Sequence, residues 1–128
     1  MKLGLSSYSL YSALKSKELD ILEAIEWIAE QGGEHIEIVP MGFSLDDNPD
    51  LTDAVRQKAE KVGIEISNYA IGANFIMSDE DQYEQEIERV LKQVDIANRL
   101  GVKLMRHDVA WRPIGETSIL QFEQDLPR

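Results

Sequence analysis

The sequence contains no cysteine and only two histidines in 128 residues. The absence of cysteine excludes a disulfide framework, a thiolate metal site and a cysteine nucleophile. The chain also lacks the glycine loop of phosphate-binding proteins, a serine, histidine and aspartate arrangement for hydrolysis, and the histidine pair of a zinc enzyme. Any chemistry must therefore come from carboxylates, the two histidines, and other polar or aromatic side chains.

Positive charge is scarce as well. Lysine and arginine total 13 against 24 aspartate and glutamate residues, which gives a net charge of -11. Such a chain repels phosphate backbones and anionic membrane surfaces, so the composition predicts neither a nucleic-acid nor a membrane partner. No apolar run has the length of a signal peptide or of a bilayer span, so the sequence predicts a cytoplasmic protein.

Apolar segments with a period of two alternate with segments that have helical periodicity. The predicted strands cover residues 2–8, 35–39, 64–69 and 102–108, and the predicted helices begin near Asp20, Asn48 and Ser78 and end near Gly32, Gly63 and Gly101. A strand, helix, strand order of this kind predicts parallel β-α-β units. Length and composition fit one domain, with 43% hydrophobic residues available for a core.

Each predicted strand is apolar on one face and polar on the other. The apolar parity holds Leu3, Leu5, Ile36, Ile38, Ile64, Ile66, Val102 and Leu104, and the polar parity holds Ser6, Tyr8, His35, Glu37, Glu65, Ser67, Tyr69, Lys103, Met105 and His107. An open parallel sheet with helices on both faces would have continuous apolar strands. In a closed (β/α)₈ barrel the outward residues pack on helices and the inward ones line the active site.

The predicted fold is therefore α/β, with parallel (β/α) units forming the first half, about four strands, of a TIM barrel. A complete barrel has roughly 250 residues. Residues 1–128 are accordingly interpreted as the N-terminal half of such a barrel with no second domain, either as part of a longer protein or as a half-barrel that must associate.

The strongest candidate site lies at the carboxyl ends of the predicted strands, where α/β proteins bind ligands. Glu37 and His107 have the inward parity there and are the predicted catalytic residues. The predicted substrate-binding residues are Tyr8, Tyr69, Phe75, Arg106, Asp108, Trp111 and Arg112. Purely structural roles remain open for both residues. Glu37 can form an ion pair with a cation of the barrel wall, and the His107 ring can form a hydrogen bond with a neighbour such as Asp108.

Parity and side-chain chemistry separate these candidates further. Arg106 has the outward parity, so pairing with helix carboxylates competes with a role in binding phosphate or carboxylate. Tyr8, Phe75 and Trp111 suit the apolar face of a sugar, although aromatic rings also close barrel mouths by packing. His35 begins its strand at the opposite end of the barrel and is expected to be structural.

Three segments resemble, in order, strands two, three and four of the sugar phosphate isomerase/epimerase family, the xylose-isomerase-like TIM barrels. They are Gly33–Gly42 (GEHIEIVPMG), Ile66–Ala70 (ISNYA) and Lys103–Trp111 (KLMRHDVAW). The resemblance implies a sugar or polyol substrate and proton transfer next to a carbonyl through an enediolate. It also implies a divalent metal, Mn, Mg, Co or Zn, in the complete protein.

In this family two glutamates of strands five and eight do much of the metal chemistry, and residues 1–128 contain neither strand. The resemblance therefore implies that these residues alone assemble no usual metal site, bind no divalent metal tightly and lack activity. It assigns no metal ligand among them.

Two other functions were weighed against an isomerase or epimerase. A signalling receiver is also an acidic α/β domain, but it needs aspartates at the ends of strands one and three, where this chain has Ser7 and Asn68. A non-catalytic half-barrel that binds a ligand or serves as a scaffold remains open. Its partner would be a second copy of the chain, in place of a missing C-terminal half.

Overall fold

The computed structural model describes residues 3–75 and 79–108. Its elements are β1 (Gly4–Ser6), a 3-10 helix (Ser7–Leu10), α1 (Tyr11–Lys15), α2 (Ile21–Glu30), β2 (His35–Ile38), α3 (Pro49–Val62), β3 (Glu65–Ile71), α4 (Glu80–Leu100) and β4 (Met105–His107). All neighbouring strands are parallel, and the sheet order is β1-β2-β3-β4. The predicted α/β fold with four parallel strands is confirmed, and the sheet is open.

The hydrophobic core lies between the sheet and its helices. Ile36 and Ile38 of β2 are fully buried in one cluster with Ile25 of α2 and Val55 of α3. Because successive side chains of a strand point to opposite faces, Glu37 lies on the face of the sheet away from these helices. We call this second face the inner face, since it corresponds to the interior of a barrel.

Four predicted helix ends are confirmed by their capping interactions, whereas the predicted helix start near Ser78 lies outside the described residues. Asp20 and Glu23 form a reciprocal capping box at the start of α2, and the Asn48 side chain accepts from the first turn of α3. Gly63 and Gly101 end α3 and α4 with φ angles of 76° and 80°, a left-handed conformation that favours glycine.

The first strand is shorter than predicted. It covers Gly4–Ser6, and the chain then turns into the 3-10 helix Ser7–Leu10. The Ser6 hydroxyl accepts a hydrogen bond from the backbone N–H of Tyr8 at 3.2 Å and so caps this helix. The predicted strand position of Tyr8 is therefore wrong, because a serine cap competes with the continued strand.

The third strand contains a β-bulge that the predicted alternation did not include. Ile36 pairs with Ile66, but the next residue, Glu37, pairs with Asn68, so Ser67 is an extra residue on β3. A bulge places two residues of one strand opposite one residue of its partner. Every later residue of β3 therefore points to the face opposite the one that simple alternation predicts.

Tyr69 shows the effect of this reversal. It pairs with Ile38, is fully buried, and donates a hydrogen bond through its hydroxyl to Gln93 Oε1 of α4 at 2.6 Å. The predicted inward orientation of Tyr69, and with it contact with a ligand in the barrel interior, is wrong. Its side chain belongs to the helix side of the sheet.

The side chains of β4 are also on the faces opposite to those predicted, because β4 pairs with the part of β3 that follows the bulge. Ala70 pairs with Arg106 and Ile71 with His107, so Arg106 takes the inner face and His107 the helix side. In agreement, Met105 packs against the core whereas Leu104 is 68% exposed. The predicted facings of β4 are wrong because residues 102–104 precede the strand and do not continue its alternation.

Within the described residues, β1 and β4 are the edges of the sheet. Exposed apolar side chains lie at both flanks: Leu3 and Trp27 near β1, and Ile87, Leu91, Val94 and Leu104 on α4 and before β4. In the same part of the chain, no helix combines the length and apolar character needed to cross a bilayer.

Candidate functional site

The centre of the candidate site is the Glu37 carboxylate on the inner face of β2. Its Oε1 accepts from the Ser6 hydroxyl of β1 at 3.0 Å, and its Oε2 accepts from Asn68 Nδ2 of β3 at 2.9 Å. Donors from both neighbouring strands therefore fix a half-buried carboxylate in one orientation. We call Ser6, Glu37 and Asn68 the carboxylate triad.

Backbone and hydroxyl contacts hold the triad in place. The Ser7 hydroxyl, fully buried, donates to the Val39 carbonyl oxygen at 2.9 Å and accepts from the Val39 N–H at 2.8 Å. This bridge joins the end of β1 to the end of β2. At the bulge, the Ser67 hydroxyl lies 3.1 Å from both the Ile36 carbonyl oxygen and Asn68 Oδ1, so its single proton can be donated to either.

Asn68 is not among the site residues predicted from the sequence, because strict alternation along β3 places its side chain on the helix side of the sheet. The sequence does contain a signal that identifies it. Ile71 belongs to the core and Ile66 packs against it. They are separated by an odd number of residue steps, so a strand without a bulge would put them on opposite faces. A bulge between them satisfies both and turns Asn68 toward Glu37.

Beside the triad, the inner face of β3 is lined by small residues. Ala70 and Gly72 follow Asn68 at alternate positions, and Ala70 pairs with Arg106. A β-carbon built on Gly72 would lie 3.9 Å from Asp108 Oδ2, which places Gly72 and Asp108 on the same side. Arg106 and Asp108 thus border a shallow inner surface, and both side chains are exposed.

His107 lies at the carboxyl end of β4 beside aromatic residues. Its ring is 6.1 Å from the ring of Phe75 at 75°, and Phe75 lies 6.1 Å from Tyr83 of α4 at 72°. His107 Nδ1 is 2.8 Å from the carbonyl oxygen of Asp108, and the side chain is exposed. His107 and Phe75 therefore share one wall of the mouth, on the helix side of β4.

An ion pair on α4 supports the loop that carries Phe75. Glu86 Oε2 accepts from the Asn74 N–H at 2.8 Å, while Arg89 pairs with Glu86 and donates to the Gly72 carbonyl oxygen. Burial acts to raise the pKa of Glu86, but the hydrogen bonds from Arg89 and Asn74 outweigh it and the pKa is lowered. The loop after β3 is thereby fixed to α4 at two backbone atoms.

Tyr69 ties the same helix to the loop after β2. Its hydroxyl donates to Gln93, whose amide nitrogen donates to Asp46. Burial, and secondly the negative charge of Asp46, raise the pKa of Tyr69, so the hydroxyl stays protonated as a donor. Tyr69 has a structural role here.

Of the remaining predicted site residues, Tyr8 contacts the triad through its backbone N–H, which donates to Ser6, and the others lie outside the described structure. Tyr8 is 54% exposed and stacks on Tyr11, with ring centroids 5.9 Å apart. Trp111 and Arg112 lie outside the described residues. Their predicted contacts with substrate stay predictions.

A divalent metal needs several oxygen or nitrogen ligands that converge on one point. Over residues 3–75 and 79–108, no group of three or more histidine, aspartate or glutamate side chains is arranged to hold an ion. Both Glu37 oxygens accept from donors that a metal would have to displace. The described residues therefore do not fit a metal site, and no catalytic step is assigned through a metal.

Comparison with known families gives a match over most of the chain. Residues 25–125 match the family described as Xylose isomerase-like TIM barrel, which includes the strand carrying Glu37, the bulged strand carrying Asn68, and β4. A search of curated proteins gives no match to the chain.

Proposed function

Because the chain belongs to the xylose isomerase-like TIM barrel family, we propose that it is the N-terminal half of a sugar or sugar-phosphate isomerase or epimerase. The observation that carries this proposal is the carboxylate triad on the inner face. A carboxylate with lone pairs left over can accept hydrogen bonds from sugar hydroxyls, and both its neighbours fix it in position before the ligand arrives.

In the proposed reaction a proton leaves the carbon next to a sugar carbonyl. It returns to the opposite face of that carbon in an epimerisation, or to the former carbonyl carbon in an isomerisation, in which the carbonyl moves to the neighbouring carbon. Glu37 binds substrate hydroxyls and orients that carbon, and Ser6 and Asn68 keep the carboxylate from rotating. His107 is the candidate proton carrier, because imidazole is the most common general acid and base in enzymes and the His107 ring is exposed at the carboxyl end of β4. The C-terminal half supplies the remaining groups, including the divalent metal of the family.

The test is the isosteric substitution Glu37→Gln. It replaces one acceptor oxygen by a donor, which faces the donors Ser6 and Asn68, so the binding geometry is lost while side-chain volume is kept. We expect binding of a ketose or ketose phosphate, measured by calorimetry, to weaken roughly tenfold or more. Glu60→Gln, on the exposed surface of α3, is the matched control and leaves binding unchanged.

Chemistry is measured separately from binding. Proton transfer next to a carbonyl incorporates deuterium at that carbon in D₂O, which NMR detects in the substrate. We expect incorporation by the complete protein, with losses in Glu37→Gln and His107→Gln. Binding that Glu37→Gln leaves intact would contradict the assigned site, and incorporation that His107→Gln leaves intact would contradict the proton-carrying role.

A second candidate function is a non-catalytic half-barrel that binds a ligand and associates with a second copy. The exposed apolar side chains at both flanks of the sheet favour it, since edge strands are sites of pairing. Sugar binding that depends on Glu37 but never incorporates deuterium would support this function over an isomerase.

A further inference from the structure

We propose that Arg106 is a specificity-determining residue of the candidate site, and that it selects sugars carrying an anionic group, a phosphate or a carboxylate. This inference rests on the proposed sugar-binding function. It follows from the bulge in β3, because the reversed register gives Arg106 the same face as Glu37 and Asn68.

Two observations place Arg106 on the inner face. Its cross-strand partner is Ala70, which is two residues after Asn68 and so has the same facing. Asp108, two residues after Arg106, approaches Gly72, which has that facing as well. The alternating residues of both strands therefore agree.

Arg106 is the only lysine or arginine in the four described strands. The other described arginines, Arg56, Arg89 and Arg99, each form an ion pair with a glutamate or aspartate. Arg106 has no such partner among residues 3–75 and 79–108, and its side chain is exposed. Its guanidinium is thus free to bind two oxygens of one anion.

The geometry suits a sugar with its anionic group at one end. Glu37 lies two strands from Arg106, about 10 Å in the plane of the sheet, and Arg106 lies about 7 Å nearer the carboxyl ends. On β3 between them lie Asn68, at the level of Glu37, and the small residue Ala70, at the level of Arg106. Sugar hydroxyls then meet Glu37 while the anionic end meets Arg106.

The surrounding charge gives Arg106 its effect on selectivity. With a net charge of -11, and with Glu37 and Asp108 on the same inner face, the protein otherwise repels an anion. A single unpaired guanidinium is therefore decisive for whether an anionic sugar binds. Removal of Arg106 should abolish the preference for the anionic sugar.

The experiment compares charged and neutral forms of one sugar. Xylulose 5-phosphate is titrated against xylulose, and glucuronate against glucose, by calorimetry at low and high salt. In the unaltered protein we expect the charged member of one pair to bind roughly ten- to a hundredfold more tightly. The pair that shows the difference distinguishes phosphate from carboxylate.

Arg106→Gln should abolish this difference and leave neutral-sugar binding intact, whereas Arg106→Lys should retain part of it because charge remains without the bidentate fork. Arg56→Gln, which breaks an exposed pair on α3, is the matched control and should retain all of it. Circular dichroism checks that each variant is folded.

The outcomes separate this inference from the proposed function. Equal binding of charged and neutral sugars, or a preference that survives Arg106→Gln, overturns the role of Arg106 while sugar binding through Glu37 stands. Binding of inorganic phosphate through Arg106 with no sugar binding supports the anion site and contradicts the sugar function. Absence of all binding contradicts both.

Discussion

Single residues decide which side chains meet in this site. Glu37 was predicted from its position in β2, and its neighbours Ser6 and Asn68 give it two fixed hydrogen bonds. Asn68 and Tyr69 exchange the places that alternation predicts for them, because Ser67 adds one residue to the strand. Composition and periodicity identify the carboxylate, whereas the hydrogen-bond partner depends on a local backbone irregularity.

The imidazole ring of His35 leaves no room for a side chain at Gly4. A β-carbon at this position would lie 2.1 Å from His35 Nδ1, a buried atom that has no hydrogen-bond partner in the described structure. We expect Gly4→Ala to lower the free energy of unfolding by about 1 to 3 kcal/mol, since the ring must move out of a packed position. Chemical denaturation measures the change.

The double variant Gly4→Ala with His35→Ala tests the cause of that loss. If the ring is responsible, the effect of Gly4→Ala largely disappears once His35 is alanine, which a double-mutant cycle reports as a coupling energy. Additive losses in the cycle would show that the close approach of Gly4 and His35 has no energetic consequence.

At the scale of elements, the sequence predicted the helices better than the strands. Caps at Asp20 and Asn48 and glycines after α3 and α4 are local signals, and the structure contains each of them. Strand facing depends on pairing with a neighbour that is distant in sequence. Counting from Val102 therefore gave the wrong face of β4, since the strand begins only at Met105.

The α4 helix controls the loop after β3 through Glu86 and Arg89. The pKa of Glu86 is lowered from its usual value of 4.5, so its stabilising contribution is complete above about pH 4.5 and is lost as pH falls through the lower folded-state pKa. We expect Glu86→Gln to cost about 1 kcal/mol at pH 7 and much less at pH 3. Denaturation at both pH values measures this difference.

NMR hydrogen exchange gives a local measurement of the same contact. The Asn74 amide donates to Glu86, so it should exchange faster in Glu86→Gln at neutral pH. Glu60→Gln breaks the exposed pair with Arg56 and should change neither stability nor exchange at Asn74. A cost for Glu86→Gln that is the same at pH 3 and pH 7 would contradict the assigned charge contribution.

At the scale of the whole molecule, residues 3–75 and 79–108 form four parallel strands with helices on one face, and within these residues both flanks of the sheet are open. Leu91 and Val94 lie on one exposed face of α4, at 59% and 46% exposure. The family and the half-barrel architecture could be predicted from the order of elements and three short segments. What covers the flanks could not, because exposed apolar residues do not specify their partner.

We expect the chain of 128 residues to self-associate through the exposed face of α4 that carries Leu91 and Val94. Its weight-average mass in sedimentation experiments should rise with concentration, and Leu91→Ser with Val94→Ser should reduce the rise without lowering unfolding stability, because both side chains are exposed. Lys92→Ser, on the same helix, is the control. A constant monomer mass at all concentrations would contradict the prediction.

The bulge at Ser67 makes the site depend on the pairing register of β3. If β3 kept all its residues but had no bulge, simple alternation from Ile66 would turn Tyr69 to the inner face, and Asn68 would enter the layer between sheet and helices. Every contact of β4 inherits that register. Relatives whose third strand has the same length but no bulge would therefore present a different set of side chains to the ligand, even if each aligned amino acid were identical.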